Sequence, residues 1–251
     1  MKTLNYFTLI FLAVFVFSCE PCEKISLEVC GGTDELPKVD LIVLIDASGS
    51  MGSVASTVSN AAKASIDSAL AKCPVDLNVN YLGVDGIWAA TLFDSTHRNV
   101  IYQIQGGTPT LASDGPPPGY ALERGANAIE DLSGLYNWRK EACRAIFYIS
   151  DEELNGVSPI NNFAEEDAVT AAAIAAAQLN EVTVFTNYIL ENNRDPSILT
   201  NYNDLTGQTG GFNLTTPNMS DVDSTLYIDL MPQIVCNACK ACELKQFMSE
   251  Q

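Results

Sequence analysis

Basic residues are scarce in this chain of 251 residues: 13 Lys and Arg stand against 31 Asp and Glu, a formal net charge of −18. A surface of that sign repels phosphate backbones and anionic headgroups, which excludes nucleic acid and acidic membrane as partners and favours cations. Histidine is scarcer still. His97 is the single one, set in a polar stretch that reads as surface, so a triad built on Ser48 would need a distant base. The chain also lacks a Gly-x-Ser-x-Gly elbow, a phosphate-binding loop and any internal repeat, and no paired acids argue for glycosidase or protease chemistry. An enzyme is therefore not expected.

Long apolar runs are confined to one place. Residues Leu4 to Phe17 are almost uninterrupted behind Lys2, too short for a membrane span and of the form of a secretory signal peptide over 1–18. The sequence Val16-Phe17-Ser18-Cys19 is similar to a bacterial lipobox, in which Cys19 becomes a lipidated first residue; ordinary cleavage near Ser18 would leave it a plain thiol. Either way the protein is expected to be exported, as a cell-surface lipoprotein or a secreted chain. A Cys-containing lead follows over 19–37, then one domain over 38–235 and a Cys-rich tail over 236–251.

Eight cysteines in an exported chain read as disulfides. Cys73 after the first helix and Cys143 before a core strand belong at one sheet edge and are expected to pair. Cys22 and Cys30 would join Cys236, Cys239 or Cys242 and staple the termini, with one thiol left over if Cys19 is lipidated. Zinc or an iron–sulfur cluster at the Cys-x-x-Cys spacings is disfavoured, because either needs a reducing compartment or loading before export. Asn213 and Asn218 lie in glycosylation sequons, which matter only in a eukaryotic secretory host.

With 47% hydrophobic residues the chain can bury one large core. Leu41 to Ile45 is a β-branched apolar run, the pattern of a strand buried on both faces, and it stops at Asp46. Helical spacing follows over Ser53–Lys72, a strand over Asp76–Val84, and an unusual loop over Asp85–His97 holding Trp88, which either contacts the rim of a site or covers the core. Alternation over Asn99–Gln105 predicts an antiparallel edge strand. Beyond a Gly-Gly-Thr turn come a helix around Ala121–Leu132, a second buried strand, Ala145–Ser150, ending at Asp151, and a helix over Glu165–Leu179. A strand over Val182–Ile189, a helix over Ile198–Thr206, a short strand over Gly211–Leu214 and a last helix over Asp221–Val235, bent or ended near Pro232, complete the order. Alternating strands and helices predict an α/β fold: a doubly wound, mostly parallel sheet flanked by helices on both faces, with one antiparallel edge strand.

In such a sheet the first strand is central and the strand after the chain's return pairs beside it, so Asp46 and Asp151 should face one crevice at the switch point, near the Gly-Gly-Thr turn. Asp46, Ser48 and Ser50 offer a carboxylate and two hydroxyls at alternate positions in a tight turn. Hard oxygen donors converging in this way suit Mg²⁺, or Ca²⁺ or Mn²⁺. The same turn read alone could be a Ser/Gly turn with Asp46 capping the next helix.

Asp46-x-Ser48-x-Ser50, then Thr108 in Gly-Gly-Thr, then Asp151 after a buried strand, resembles the von Willebrand factor type A domain over about 38–235. The resemblance implies a metal-ion-dependent adhesion site in which Ser48, Ser50 and Thr108 bind the ion directly and Asp46 and Asp151 bind directly or through water. Its implied function is capture of an Asp or Glu side chain of a protein partner, with no nucleic acid and no membrane contact beyond a lipid anchor. It also implies coupling of the site to the last helix, which a cysteine staple would restrict. Glu152-Glu153 stand where the family often has Gly, and Thr110 is an alternative to Thr108. A second reading makes the chain a structural subunit of a surface assembly or filament whose metal only stabilises the fold.

Overall fold

The computed structural model describes residues 36–114, 123–155, 163–190 and 196–249. The signal segment, Cys19, Cys22 and Cys30 lie outside the described residues. Five strands form one sheet: β1 (Lys38–Ile45), β2 (Asp76–Gly83), β3 (Cys143–Ser150), β4 (Val182–Ile189) and β5 (Asn213–Thr216), in the order β2-β1-β3-β4-β5. Every pairing is parallel. Helices α1 (Gly52–Lys72), α2 (His97–Gln105), α3 (Gly125–Leu135), α4 (Phe163–Leu179), α5 (Pro196–Thr209) and α6 (Ser224–Ser249) flank it.

The period-2 alternation of a strand sorts the core into two layers. Val39, Leu41, Val43 and Ile45 of β1 pack with Val54, Val58, Ile234 and Val235 of α1 and α6. Ile42 and Leu44 face the other way, toward Ile129 and Leu132 of α3, Ala173 and Ala177 of α4 and Tyr202 of α5. A strand flanked in this manner must be largely apolar on both sides, which is why β1 and β3 carry continuous apolar runs, while β4, equally buried, includes Thr183, Thr186 and Asn187.

Two expectations are corrected. The segment predicted as an antiparallel edge strand is the helix α2, and the described sheet is wholly parallel. Val100, Tyr102 and Ile104 do alternate, but Ile101, which a strand would turn to the opposite side, is the fully buried residue, while Ile104 is exposed. The helix signals lay at its ends. Thr96 caps the first turn by accepting from the Asn99 amide, and Gly106 closes it in the left-handed conformation at φ 68°.

Cys73 and Cys143 do not pair with each other. Cys73 is bonded to Cys236 and Cys143 to Cys242, with Cα separations of 5.6 and 5.4 Å. Both cysteines do lie at the N-terminal edge of the sheet, but α6 passes over that edge and offers each its own partner. The helix does not end near Pro232; it continues to Ser249. A proline removes one donor from a helix, and Ile234, Val235, Ala238 and Cys239, all buried just beyond it, hold the next turns on the core. Cys239 belongs to neither of these bridges.

At the same edge a buried charge is matched. Asp40 is 1% exposed. It accepts from the Arg139 main-chain N–H at 2.7 Å and from Nε at 2.6 Å, while the rest of that guanidinium donates to the Val39 carbonyl and to Asp76. Removing one partner of a buried pair leaves the other charge uncompensated at a cost of about 3–5 kcal/mol. Arg139→Met is therefore expected to lower the melting temperature by roughly 10 °C, and Asp40→Leu with Arg139→Met to recover part of that loss. A double variant as unstable as the sum of the two singles would contradict the coupling.

Candidate functional site

Strands β1 and β3 end side by side, and the Asp46 amide donates to the Ile149 carbonyl at 3.0 Å, carrying the pairing one residue past β1. The side chains of Asp46 and Asp151 emerge there, both 0% exposed. Asp46 Oδ1 accepts from the Ser48 amide at 2.6 Å, which folds the chain into a tight turn. A single 3-10 turn, Gly49–Met51, then leads into α1. Neither of these helices has a side-chain cap, so the capping reading of Asp46 fails.

What the turn does instead is line up oxygens. Ser48 Oγ lies 3.0 Å from Ser50 Oγ, and Ser50 Oγ donates to Asp151 Oδ1 at 3.2 Å. Asp46, Ser48, Ser50 and Asp151, spread over 105 positions of sequence, thus share one hydrogen-bonded cluster at the C-terminal edge of the sheet. Ser50 is exposed and Ser48 nearly buried, so the cluster opens to solvent on the Ser50 side. Small hard oxygen donors of this kind suit Mg²⁺ or a similar divalent ion. The residues present fit such an ion, with two carboxylates and two hydroxyls already converged. Among the described residues no group of three or more His, Cys, Asp or Glu is placed to hold a metal, so a site here would depend on its hydroxyls.

Thr108 is not drawn in. It is exposed in the turn after Gly106, and no hydrogen bond joins it to the other four; Thr110 is exposed as well. The chain beyond is fixed. Asp131 accepts from the Ala112 and Ser113 amides at 2.6 and 3.1 Å and from Ser113 Oγ at 2.7 Å. His97, expected at the surface, is 0% exposed and belongs to this knot: Nε2 lies 3.2 Å from Ser113 Oγ, and Nδ1 accepts from the Asp85 amide at 3.4 Å. Both ring nitrogens are thus directed at this loop. Arg98 adds ion pairs to Asp85 and Asp114.

Three contributors escaped the sequence reading. Ser150 Oγ donates to Asp46 Oδ2 at 2.8 Å and accepts from the Glu152 amide, so it orients the first carboxylate from the neighbouring strand. Its position one residue before Asp151 was the available signal. Glu123, two residues ahead of α3, is buried in the field of Asp46, Asp151, Glu152 and Glu153. Gly125 admits the Tyr148 ring beneath the site: a Cβ there would lie 2.3 Å from a ring carbon. Trp88 serves both of its expected uses, since Nε1–H donates to the Asp46 carbonyl at 3.3 Å while the ring covers Gly52 at the start of α1.

The electrostatics follow from burial without a matching cation. Desolvation, helped by the charge of Asp151, lifts Asp46 to about 7 against the donated bonds of Ser48 and Ser150. Desolvation and the surrounding carboxylates lift Glu123 to about 8. A carboxyl raised in the folded state holds a proton that the unfolded chain has already released, so stability is greatest below the unfolded value and falls as pH rises toward the folded one. In divalent-free buffer the melting temperature should fall between pH 5 and 8, and Asp46→Asn and Glu123→Gln should each flatten that slope. A slope unchanged in both variants would show that neither group carries it.

No family model matches the chain, and no curated protein matches it. Among solved structures it is similar to a point mutant of the PilB minor pilin from Streptococcus sanguinis, at 11% identity and a TM-score of 0.49 over 83% of this chain and 64% of the pilin. A conserved hypothetical protein BatB from Bacteroides thetaiotaomicron aligns at 14% identity and a TM-score of 0.36, over 78% of this chain and 99% of BatB. This chain therefore spans less than two thirds of the pilin's length, and the functional reading rests on the site itself.

Proposed function

We propose that this protein is an exported module, secreted or held at the cell surface through Cys19, that captures a carboxylate of a protein partner through a divalent cation at Asp46, Ser48, Ser50 and Asp151. The observation that carries the reading is the oxygen chain Ser48 Oγ, Ser50 Oγ, Asp151 Oδ1, at 3.0 and 3.2 Å. A bound Mg²⁺, Ca²⁺ or Mn²⁺ supplies a positive centre with a water-exchangeable position for an incoming carboxylate oxygen. The chain's own residues do the rest. Ser150 and the Ser48 amide hold Asp46 in one orientation, and Ser50 holds Asp151. Because two of the four donors are neutral hydroxyls, these four residues place no more than two negative charges directly on the ion, which helps preserve attraction for an anionic ligand. Thr108, exposed in the turn after Gly106, is the fifth donor in this reading.

One observation favours the alternative, a structural surface subunit in which the ion only stabilises the fold. The carboxylates already accept hydrogen bonds from Ser48, Ser150 and Ser50, so the cluster is coherent without a ligand. The two readings part on exchange at the ion. Titration calorimetry with MgCl₂, CaCl₂ and MnCl₂ should show one site that Asp46→Ala and the pair Ser48→Ala, Ser50→Ala abolish, with circular dichroism unchanged. With Mn²⁺ bound, enhanced water-proton relaxation should fall on adding a short peptide carrying one Asp and stay constant with its Asn counterpart. Binding that survives Asp46→Ala would refute the metal site, and relaxation indifferent to the Asp peptide would favour the structural reading.

A further inference from the structure

The loop that follows β2 lies against the start of α1 and is pinned there. The Trp88 ring covers Gly52 while its Nε1–H donates to the Asp46 carbonyl, and the Leu92 amide donates to Ser59 Oγ at 3.0 Å. Phe93 is fully buried and meets the Tyr81 ring edge-on. Within the loop the Trp88 amide donates to the Phe93 carbonyl at 2.8 Å, and Thr91 Oγ1 donates to the Trp88 carbonyl at 2.8 Å. Asp85 and Ala90 stand at φ 41° and 62°, the left-handed region that is unfavourable for a residue with a Cβ. Such strain persists only where the surroundings enforce it.

This tied loop holds apolar side chains out in solvent. Ile87 is 53% and Leu92 43% exposed, with Ala89 and Ala90 exposed between them and Trp88 half-buried. Isolated exposed apolar residues are ordinary, but a contiguous group beside a site marks a contact surface. The group is also free of charge, on a chain of net charge −18: Gly86–Phe93 and the first turns of α1, Gly52–Ala62, contain no Asp, Glu, Lys or Arg. Asp85, at its near end, is ion-paired to Arg98. The β3 side of the site is the reverse, with Glu152, Glu153 and Glu123 around Asp151. An anionic segment approaching the site is repelled on that side and not on the side of the loop. From Gly52 to Ser59 the strip runs along α1 for about 10 Å, the reach of about three extended residues.

We infer that Ile87, Trp88 and Leu92 form a specificity strip for a protein partner that carries an aliphatic side chain within three residues of its captured carboxylate. The strip rests on the metal-mediated capture proposed for Asp46, Ser48, Ser50 and Asp151, and it adds the choice of ligand sequence that a cation alone does not make. The acid oxygen goes to the ion, and the partner chain runs from there over Gly52 toward Ser59. Its aliphatic side chain covers Ile87 and Leu92 and removes their apolar surface from water. Because the loop is already fixed by Trp88, Phe93 and Ser59, little ordering is needed at the moment of binding.

End-blocked heptapeptides with a central Asp among glycines, and variants with one glycine replaced by Leu or by Ser, test this on the Mn²⁺-loaded protein by water-proton relaxation. Leu in at least one position is expected to tighten binding about tenfold over the all-glycine peptide, and Ser in the same position to leave it unchanged. Ile87→Ser and Leu92→Ser should each remove most of the gain from Leu, with Mn²⁺ affinity and circular dichroism as the control for fold. Equal binding of the Leu, Ser and glycine peptides, with Asp-dependent capture intact, would overturn the strip and leave the capture reading standing. No Asp-dependent change with any peptide would remove both. A Leu gain that survives Ile87→Ser combined with Leu92→Ser would overturn the strip as well. So would a dimer in sedimentation that Leu92→Ser dissolves, which would assign the surface to a second copy.

Discussion

The pairing of β1 with β3 is the constraint on which the rest of the molecule depends. The chain winds out through β2, returns across the sheet, and lays β3 on the free side of β1 in parallel register from Val39 opposite Cys143 to Ile45 opposite Ile149. That register sets Asp46 level with Ser150, and Asp151 follows one residue further along β3, where Ser50 reaches it. Nothing in either loop alone would place a carboxylate beside Ser50. A slip of one residue in that register would turn Ser150 away from Asp46, since neighbouring strand residues face opposite sides.

One strand shows what the site lacks. Asp40 and Asp46 flank the same apolar run, and both are buried, at 1% and 0% exposure. At the foot of β1, Asp40 is met by a guanidinium that donates to it and to the neighbouring carbonyls. At the head, Asp46 is met by an amide and a hydroxyl, and its charged neighbours are other carboxylates. Burying a charge without a counter-charge is costly and drives the group toward its neutral form. The foot resolves that cost inside the protein. At the head that cost appears as the raised Asp46 carboxyl, and the cluster opens on the exposed side of Ser50.

The sheet was legible in the sequence because burial on both faces leaves a strong signature: apolar runs in β1 and β3 that give way to Asp46 and Asp151. The switch-point argument then followed from strand order alone. The helix α2 was not legible by periodicity, since its nine residues are too few for alternation and helical spacing to separate; Thr96 and Gly106 at its ends carried the information. The disulfides were misassigned for a different reason. Chain order located Cys73 and Cys143 at one edge correctly, but their partners depended on how far α6 continued past Pro232, which tertiary packing decides. Glu123 was invisible because its role arises from proximity in space and a single glutamate has no pattern to read, and Ser150 offered only its place beside Asp151.

The two halves of the site are built to different standards of rigidity. Asp46, Ser48, Ser50 and Asp151 hang from core strands and from one another. Thr108 stands in a turn between Gly106, the left-handed end of α2, and residues 111–114, which His97, Arg98 and Asp131 hold down. That knot anchors the turn at its far side but leaves Gly107, Thr108 and Thr110 exposed. The far end of the molecule is the opposite case, with α6 bonded to the end of α1 through Cys73 and to the start of β3 through Cys143. Closures of 163 and 99 residues restrict the unfolded chain strongly, and they fix α6 at two points on two different elements. Among the described residues, the four clustered side chains are thus tied into the sheet, while the turn carrying Thr108 is held at its two ends.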